Sequence, residues 1–325
     1  MKLQQLQYLQ AVTQEGFSMT RAAKALGASQ PAISTQLRLL ERELEIDLLI
    51  RRNNRIHGLT VAGQSIIKSV DLILRETENL RRTALEFTQE GDQELVVATT
   101  HTYARYALGS MVKEFVEQYP RVKLVLRQGI PSMVAEWVAT GAADLGITGA
   151  ADLGISGHPI DQHDPLTFLP CDAQTRSLFV PADHPLLHVQ EMTLADIAAY
   201  PLITLDAQTE GGSTVLNAFD KAGYDLNVVL SVIDADVAKT YVEMGLGIAV
   251  LLSMAYDQSR DHALRVVDVA DLFEPTVPQI MFHTGKHITG AMFDFIGKFA
   301  PQWNRTAVET ATRHTAVEKE LMANA

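Results

Sequence analysis

From Val61 to Gln89 the sequence contains no proline and a single glycine, Gly63, which falls in the first turn of any helix that forms there. Through this stretch Ile66, Val70, Ile73, Thr77, Leu80, Ala84 and Phe87 recur at alternating spacings of four and three. That is an a/d seam, so one uninterrupted helix is predicted, with a stripe that another helix can cover. The cover is either a second copy of the chain or the helix's own domain. In both cases the helix splits the chain into a head, residues 1–60, and a body that starts near residue 91.

Head and body differ in charge. The head carries Lys2, Arg21, Lys24, Arg38, Arg42, Arg51, Arg52 and Arg55 against five acidic residues, a balance of +3, in a chain whose net charge is −12. A mildly basic head on an acidic body is the asymmetry expected when only the head meets a phosphate backbone.

Within the head, Leu3, Leu6, Leu9 and Val12 lie at helical spacing and Gly16 ends the run. Ser18 suits the cap of a second helix, Met19 to Leu26, whose Ala22, Ala23 and Ala25 let a neighbour approach closely. Gly27 then suits a left-handed turn and Ser29 the cap of a third helix, which is helix-turn-helix spacing. In that third helix Ile33, Leu37, Leu40 and Leu44 form the buried stripe, and Pro31 sits in the first turn, where its missing N–H costs little. Ser34, Thr35, Arg38 and Arg42 fall on the opposite face, with Gln30 at the N-terminus, a set fit for base edges in a major groove. Two short extended runs around Asn53-Asn54 read as a β-wing in which Arg51, Arg52 and Arg55 reach phosphates or a minor groove. The same hairpin also suits a solvated surface with no partner.

The run Ala22-Ala23, Leu26, Ser29-Gln30-Pro31-Ala32, Ser34, then Leu40-Glu41, Leu49, Arg52, Leu59-Thr60, Ala62-Gly63 resembles the LysR-type transcriptional regulators, departing at Ile50, where the family has Phe. The resemblance implies double-stranded promoter DNA as a partner, with Ser29, Gln30, Pro31, Ser34, Thr35, Arg38, Arg52 and Arg55 as its contacts. It also implies dimerisation through the long helix, assembly to tetramers, contact with RNA polymerase, and a small-molecule effector.

After Glu90-Gly91-Asp92, short apolar runs alternate with helical stretches. Leu95–Ala98, Lys123–Arg127 and Leu145–Thr148 read as strands, with helices at Arg105–Gln118 and Pro131–Thr140 between them. A second set follows, with strands Ser177–Val180, Leu202–Thr204, Val228–Val232 and Ile248–Leu252 and helices Leu194–Ala199, Ser213–Ala222 and Ala235–Met244. The expected fold is thus an α-helical winged helix-turn-helix plus a long linker helix, then an α/β two-lobed effector domain of periplasmic-binding-protein form. Its expected bounds are 1–60 for the head, 61–90 for the linker and 91–301 for the effector domain. Residues 91–170 and 268–301 make lobe I, residues 171–267 lobe II, and the helical tail 302–325 has no assigned role.

Ligands of open α/β sheets bind beyond the carboxyl ends of strands, which points to the cleft between the lobes. Thr99-Thr100-His101-Thr102-Tyr103 ends the first strand; its hydroxyls suit an anion, or are ordinary strand and cap residues. Asp236, in Asp234-Ala235-Asp236, suits a helix cap as well as a pocket. The runs Ala98-Thr99-Thr100-His101-Thr102, Ala104-Arg105-Tyr106-Ala107-Leu108 and Asp234-Ala235-Asp236-Val237 are similar to the CysB and Cbl branch of the family, which controls sulfur assimilation. In that branch the positions of Thr100 and Thr102 contact sulfate or an acetylated serine. Tyr103 stands where the branch has Gln, Gly149 replaces a pocket threonine beside Thr148, and Glu210 lies near another. With Gln128 and Thr204 these complete the effector candidates. A carboxylate from Glu210 facing sulfate at about 4 Å would cost several kcal/mol and would favour an amino-bearing ligand; a solvent-facing Glu210 leaves sulfate acceptable.

Other classes fare worse. Thr99, Thr100 and Asp206 are available for catalysis, but no nucleophile elbow, phosphate loop or metal motif occurs, so neither enzyme activity nor a cofactor is expected. His158, Asp161, His163 and Asp164 sit in a Gly- and Pro-rich setting that reads as a surface loop rather than a metal site. The single cysteine, Cys171, excludes an internal disulfide and reads as hinge packing. The apolar stretches are too short to cross a bilayer and the start lacks an export signal, so no membrane partner and a cytoplasmic location are expected. The basic head and that missing signal also argue against a periplasmic binding protein.

Overall fold

In the computed structural model, residues 1–52, 55–88, 93–149 and 166–323 are described, the side chains of residues 82, 85–88, 93, 210 and 316–323 excepted. The wing tip Asn53-Asn54, the Glu90-Gly91-Asp92 connection and the 158–164 loop therefore lie outside the described residues. The chain forms two compact units.

The first unit begins with α1 (Leu3–Gln14), α2 (Met19–Ala25) and α3 (Gln30–Leu44). The turn signals act as the sequence predicts. Ser18 accepts from Arg21 N, Gly27 takes φ +59°, and Ser29 accepts from Ala32 N. Ile33, Leu37 and Leu40 of α3 are fully buried against Leu6, Leu9 and Val12 of α1, with Ala22 and Ala23 beneath them. Strands β1 (Leu49–Arg52) and β2 (Arg55–Leu59) pair antiparallel as the wing.

Helix α4 (Val61–Thr88) follows. A Cβ on Gly63 would lie 2.1 Å from the Leu48 carbonyl oxygen, so only glycine lets α4 start against the wing. Val70 is buried in the head core with Ile66, Ile67 and Leu74 packed around it. Further along the seam, Ile73 is 39% and Leu80 70% exposed. The helix thus packs on the head core over its first turns, and Ile73 and Leu80 of the seam lie open beyond them.

The second unit opens with β3 (Gln93–Thr99), a π-helical turn (Tyr103–Ala107), α5 (Gly109–Gln118), β4 (Val122–Gln128), α6 (Pro131–Ala139) and β5 (Leu145–Gly149). Strand β6 (Leu166–Pro170) ends this first passage. The second lobe contains β7 (Arg176–Pro181), α7 (Leu194–Ala198), β8 (Leu202–Leu205), α8 (Glu210–Ala222), β9 (Val228–Val232), α9 (Ala235–Glu243), β10 (Ala249–Leu252) and β11 (Leu264–Asp268). The chain then returns through β12 (Pro278–His283), α10 (Gly290–Phe299) and α11 (Arg305–Ala323).

The first-lobe sheet has the order β4-β3-β5-β12-β6. Its first three strands are parallel, and the returning β12 inserts antiparallel between β5 and β6. In the second lobe β7 is flanked antiparallel by β10 and β11, and a Leu202–Ile248 bridge ties in the parallel pair β8-β9. The tail extends the first lobe: Trp303 Nε1 donates to the Pro170 carbonyl at 2.6 Å and Val308 of α11 is buried in the same core. Among the described residues no helix is long and apolar enough to cross a membrane.

Candidate functional sites: a DNA-reading face and an interlobe cavity

On the head, Gln30, Thr35 and Arg38 are exposed on one face of α3 and Ser34 is half-buried beside them. Ser29 is used as a cap, and the Gln30 amide donates to Thr20 Oγ1 at 2.6 Å, leaving its carbonyl oxygen outward as an acceptor. The wing arginines divide by role. Arg52 and Arg55 are exposed and face each other across the hairpin. Arg51 is held at 2.7 Å by the buried Glu41 carboxylate, which also accepts from the Leu48 and Leu49 amides. Of the three arginines expected to reach DNA, Arg51 is therefore a strut between α3 and the wing. The sequence offered no sign of this, because Glu41 lies on a surface-like stretch of α3.

In the second unit the carboxyl ends of β3, β4, β8 and β10 converge on one cavity of about 280 Å³ between the lobes. Four of the expected effector residues, Thr100, Thr102, Tyr103 and Gln128, line it. Thr209, which caps α8 by accepting from Gly212 N at 3.1 Å, lies on its wall with Gly211.

The remaining candidates lie elsewhere. Thr99 is fully buried and donates to the Ile147 carbonyl at 2.9 Å, a structural bond between β3 and β5. Thr148, Gly149 and Thr204 are buried strand residues outside the cavity wall. Glu210 begins α8, between wall residues Thr209 and Gly211.

Sequence reasoning missed Arg176 and His101. Arg176, the first residue of β7, is 1% exposed, lines the cavity, and donates from Nη2 to Thr276 Oγ1 at 2.9 Å. A lone arginine beside an apolar run gives no periodic signal, and only its burial makes it notable. His101 also lines the cavity; its Nδ1 is buried with no hydrogen-bond partner among the described residues.

Asp236 belongs to a different cluster. It accepts from Arg105 Nε at 3.0 Å and from the Tyr106 hydroxyl, both on the π-helical turn of the first lobe. Lys239, 5% exposed, sits 3.4 Å from Asp236, is paired at 2.9 Å with the buried Asp261 and lies over the Tyr106 ring. This clasp joins the two lobes through the segment that starts in the cavity wall. Burial works against the Asp236 charge, but the Tyr106 hydrogen bond and the Lys239 and Arg105 charges hold its carboxyl below the ordinary value of 3.8. Such a group stabilises the fold above its unfolded pKa and loses that contribution as pH falls through the folded one. The Tm difference between the native chain and Asp236→Asn is therefore expected to be about 2–4 °C at pH 6–8, to shrink as pH falls below the ordinary aspartate value, and to vanish only below the lowered folded value, read from melts at a series of pH values. A pH-independent difference would remove the charge from the explanation. Burial pushes the Cys171 thiol up to about 11, which keeps it protonated and unreactive at neutral pH.

Residues 3–64 match the family model for the bacterial regulatory helix-turn-helix protein, lysR family, and residues 88–302 the LysR substrate binding domain. The chain is 39% identical over 308 residues to the HTH-type transcriptional regulator SsuR of Burkholderia cenocepacia, covering 95% of this chain and 97% of that one. It is 37% identical over 321 residues to CysB of the same organism, covering 99% and 100%. Among solved structures, the cofactor-binding domain of the Cbl transcriptional regulator superposes with a TM-score of 0.61 at 32% identity, over 68% of this chain and 93% of that one. A full-length OxyR variant from Pseudomonas aeruginosa gives a TM-score of 0.64 at 20% identity, over 92% and 97%, and supports the fold. A winged head with an open arginine face, a long helix and a two-lobed module with a cavity at its strand ends, matched by both models and by relatives of full length, make this chain a member of the LysR family of transcriptional regulators.

Proposed function

We propose that this LysR-type regulator answers to a small anion held between the lobes, with Arg176 as its counter-charge and Thr100, Thr102 and Gln128 as hydrogen-bonding partners. The observation that carries the reading is Arg176: a guanidinium 1% exposed in a cavity wall makes that wall a place for negative charge. This tips the balance left open at Glu210 towards an acid rather than an amine. The anion closes the lobes, and the change passes through the clasp to the arrangement of the heads on DNA. The exposed seam residues Ile73 and Leu80 support pairing of α4 between two copies, which presents two α3 helices to spaced half-sites. Pairs of such dimers form the tetramer, acting at promoters in the cytoplasm with RNA polymerase as a further partner. The sulfur-related role implied by the CysB and Cbl resemblance fits an oxyanion effector. The chain divides functionally into residues 1–60, 61–90 and 91–301, with 302–325 as an extension of lobe I.

The test is operator binding by fluorescence anisotropy with and without candidate anions. Thr100→Ala and Thr102→Ala are expected to shift the effector midpoint upward about fivefold each, leaving DNA affinity without effector unchanged. Loss of basal DNA affinity in step with effector response would mean that these residues hold the fold instead.

A further inference from the structure

We infer that the effector is an amphiphilic organic anion: one acid group, sulfonate or carboxylate, on an apolar body the size of a benzene ring or a short alkyl chain. This rests on the reading of the cavity as an anion-effector site and adds the other half of the ligand. The cavity holds about 280 Å³. An apolar cavity of roughly 150 Å³ accepts a benzene, and one water takes about 30 Å³. A bare tetrahedral oxyanion would leave most of this space to water.

The wall is divided by chemistry. Thr100, His101, Thr102, Tyr103, Gln128, Arg176 and Thr209 bring polar groups to it, and Met133, Leu205, Ile233, Leu251 and Leu252 offer no hydrogen bond at all. Desolvating a free sulfate requires donors around all its oxygens, and five apolar side chains cannot provide them. They can cover hydrocarbon. Two of them are also open to water, Met133 at 40% and Ile233 at 62% exposure, and a ligand's apolar body would relieve that exposure.

The full chain is titrated calorimetrically with sulfate, methanesulfonate, butane-1-sulfonate, hexane-1-sulfonate and benzenesulfonate. Hexanoate and benzoate distinguish the carboxylate from the sulfonate source, and hexylammonium controls for charge. Affinity is expected to rise about three- to fourfold per added methylene in at least one acid series. In Met133→Ser and Ile233→Ser, at rim positions where folding is not at stake, that gain is expected to shrink at least twofold per methylene while methanesulfonate binding stays as it was. Sulfate or methanesulfonate binding as tightly as the longer acids overturns the amphiphile and leaves the anion reading standing. Binding of hexylammonium in preference to every acid, or no binding across the series, overturns both.

Discussion

Arg38→Ala is expected to weaken operator binding about 10- to 100-fold, and Arg52→Ala to weaken it severalfold while reducing the slope of log affinity against log salt by about one per head. The two differ because of where the fold puts them. Arg38 stands on the open face of α3, where a base contact is worth about 1–3 kcal/mol. Arg52 stands at the end of β1 opposite Arg55, on the wing rather than on α3, and is proposed to meet phosphate or a minor groove. Arg51→Ala is the control: its guanidinium is bound to Glu41, so its loss acts first on the Tm of the head. Anisotropy titrations at several salt concentrations, with melts alongside, separate the three. Native-like DNA affinity in both Arg38→Ala and Arg52→Ala would sink the head as drawn.

Much of the head was legible because its signals are local. Ser18, Gly27 and Ser29 act within a few residues of themselves, and the stripe of α3 repeats at one period. The body was legible where strand and helix alternate, and obscure where a choice depended on distant partners. Strands β6 and β11 went unread: each is five residues long and stabilised by a neighbour far along the chain, β12 and β7 respectively. The helix at Ser213 starts three residues earlier, at Glu210, because Thr209 caps it across two glycines that resemble a loop. The stretch expected as one helix from Arg105 divides into a π-helical turn and α5, since one extra residue in a turn leaves the apolar pattern nearly intact. That turn aims Arg105 and Tyr106 at Asp236 and takes Asp236 out of the pocket. The candidate site shares this limit. Thr99 and Thr100 are neighbours of one type, yet strand alternation sends Thr99 into the sheet and leaves Thr100 on the wall.

Replacing Arg176 by methionine is expected to abolish the effector response, lowering affinity for the anion about 100-fold, while the apo protein melts within a few degrees of the native chain. The asymmetry follows from how buried charges behave. A buried cation is held at a desolvation cost, and an unbranched apolar side chain of similar reach removes that cost, which offsets part of the stability lost with its bonds. The Thr276 hydroxyl loses one charge-assisted partner at 2.9 Å, worth about 1–2 kcal/mol at most. An acid group entering the same wall has no such compensation: without the guanidinium it must shed water with only hydroxyls and an amide to replace it, and about 3 kcal/mol of binding is lost. Arg176→Lys keeps the charge without the planar fork and is expected to retain part of the response. Thermal shifts with and without the anion, beside anisotropy on operator DNA, give the readout. An Arg176→Met chain that still answers to the anion at native concentrations would mean that the counter-charge lies elsewhere in the cleft, and the acid end of the ligand would have to be reassigned with it.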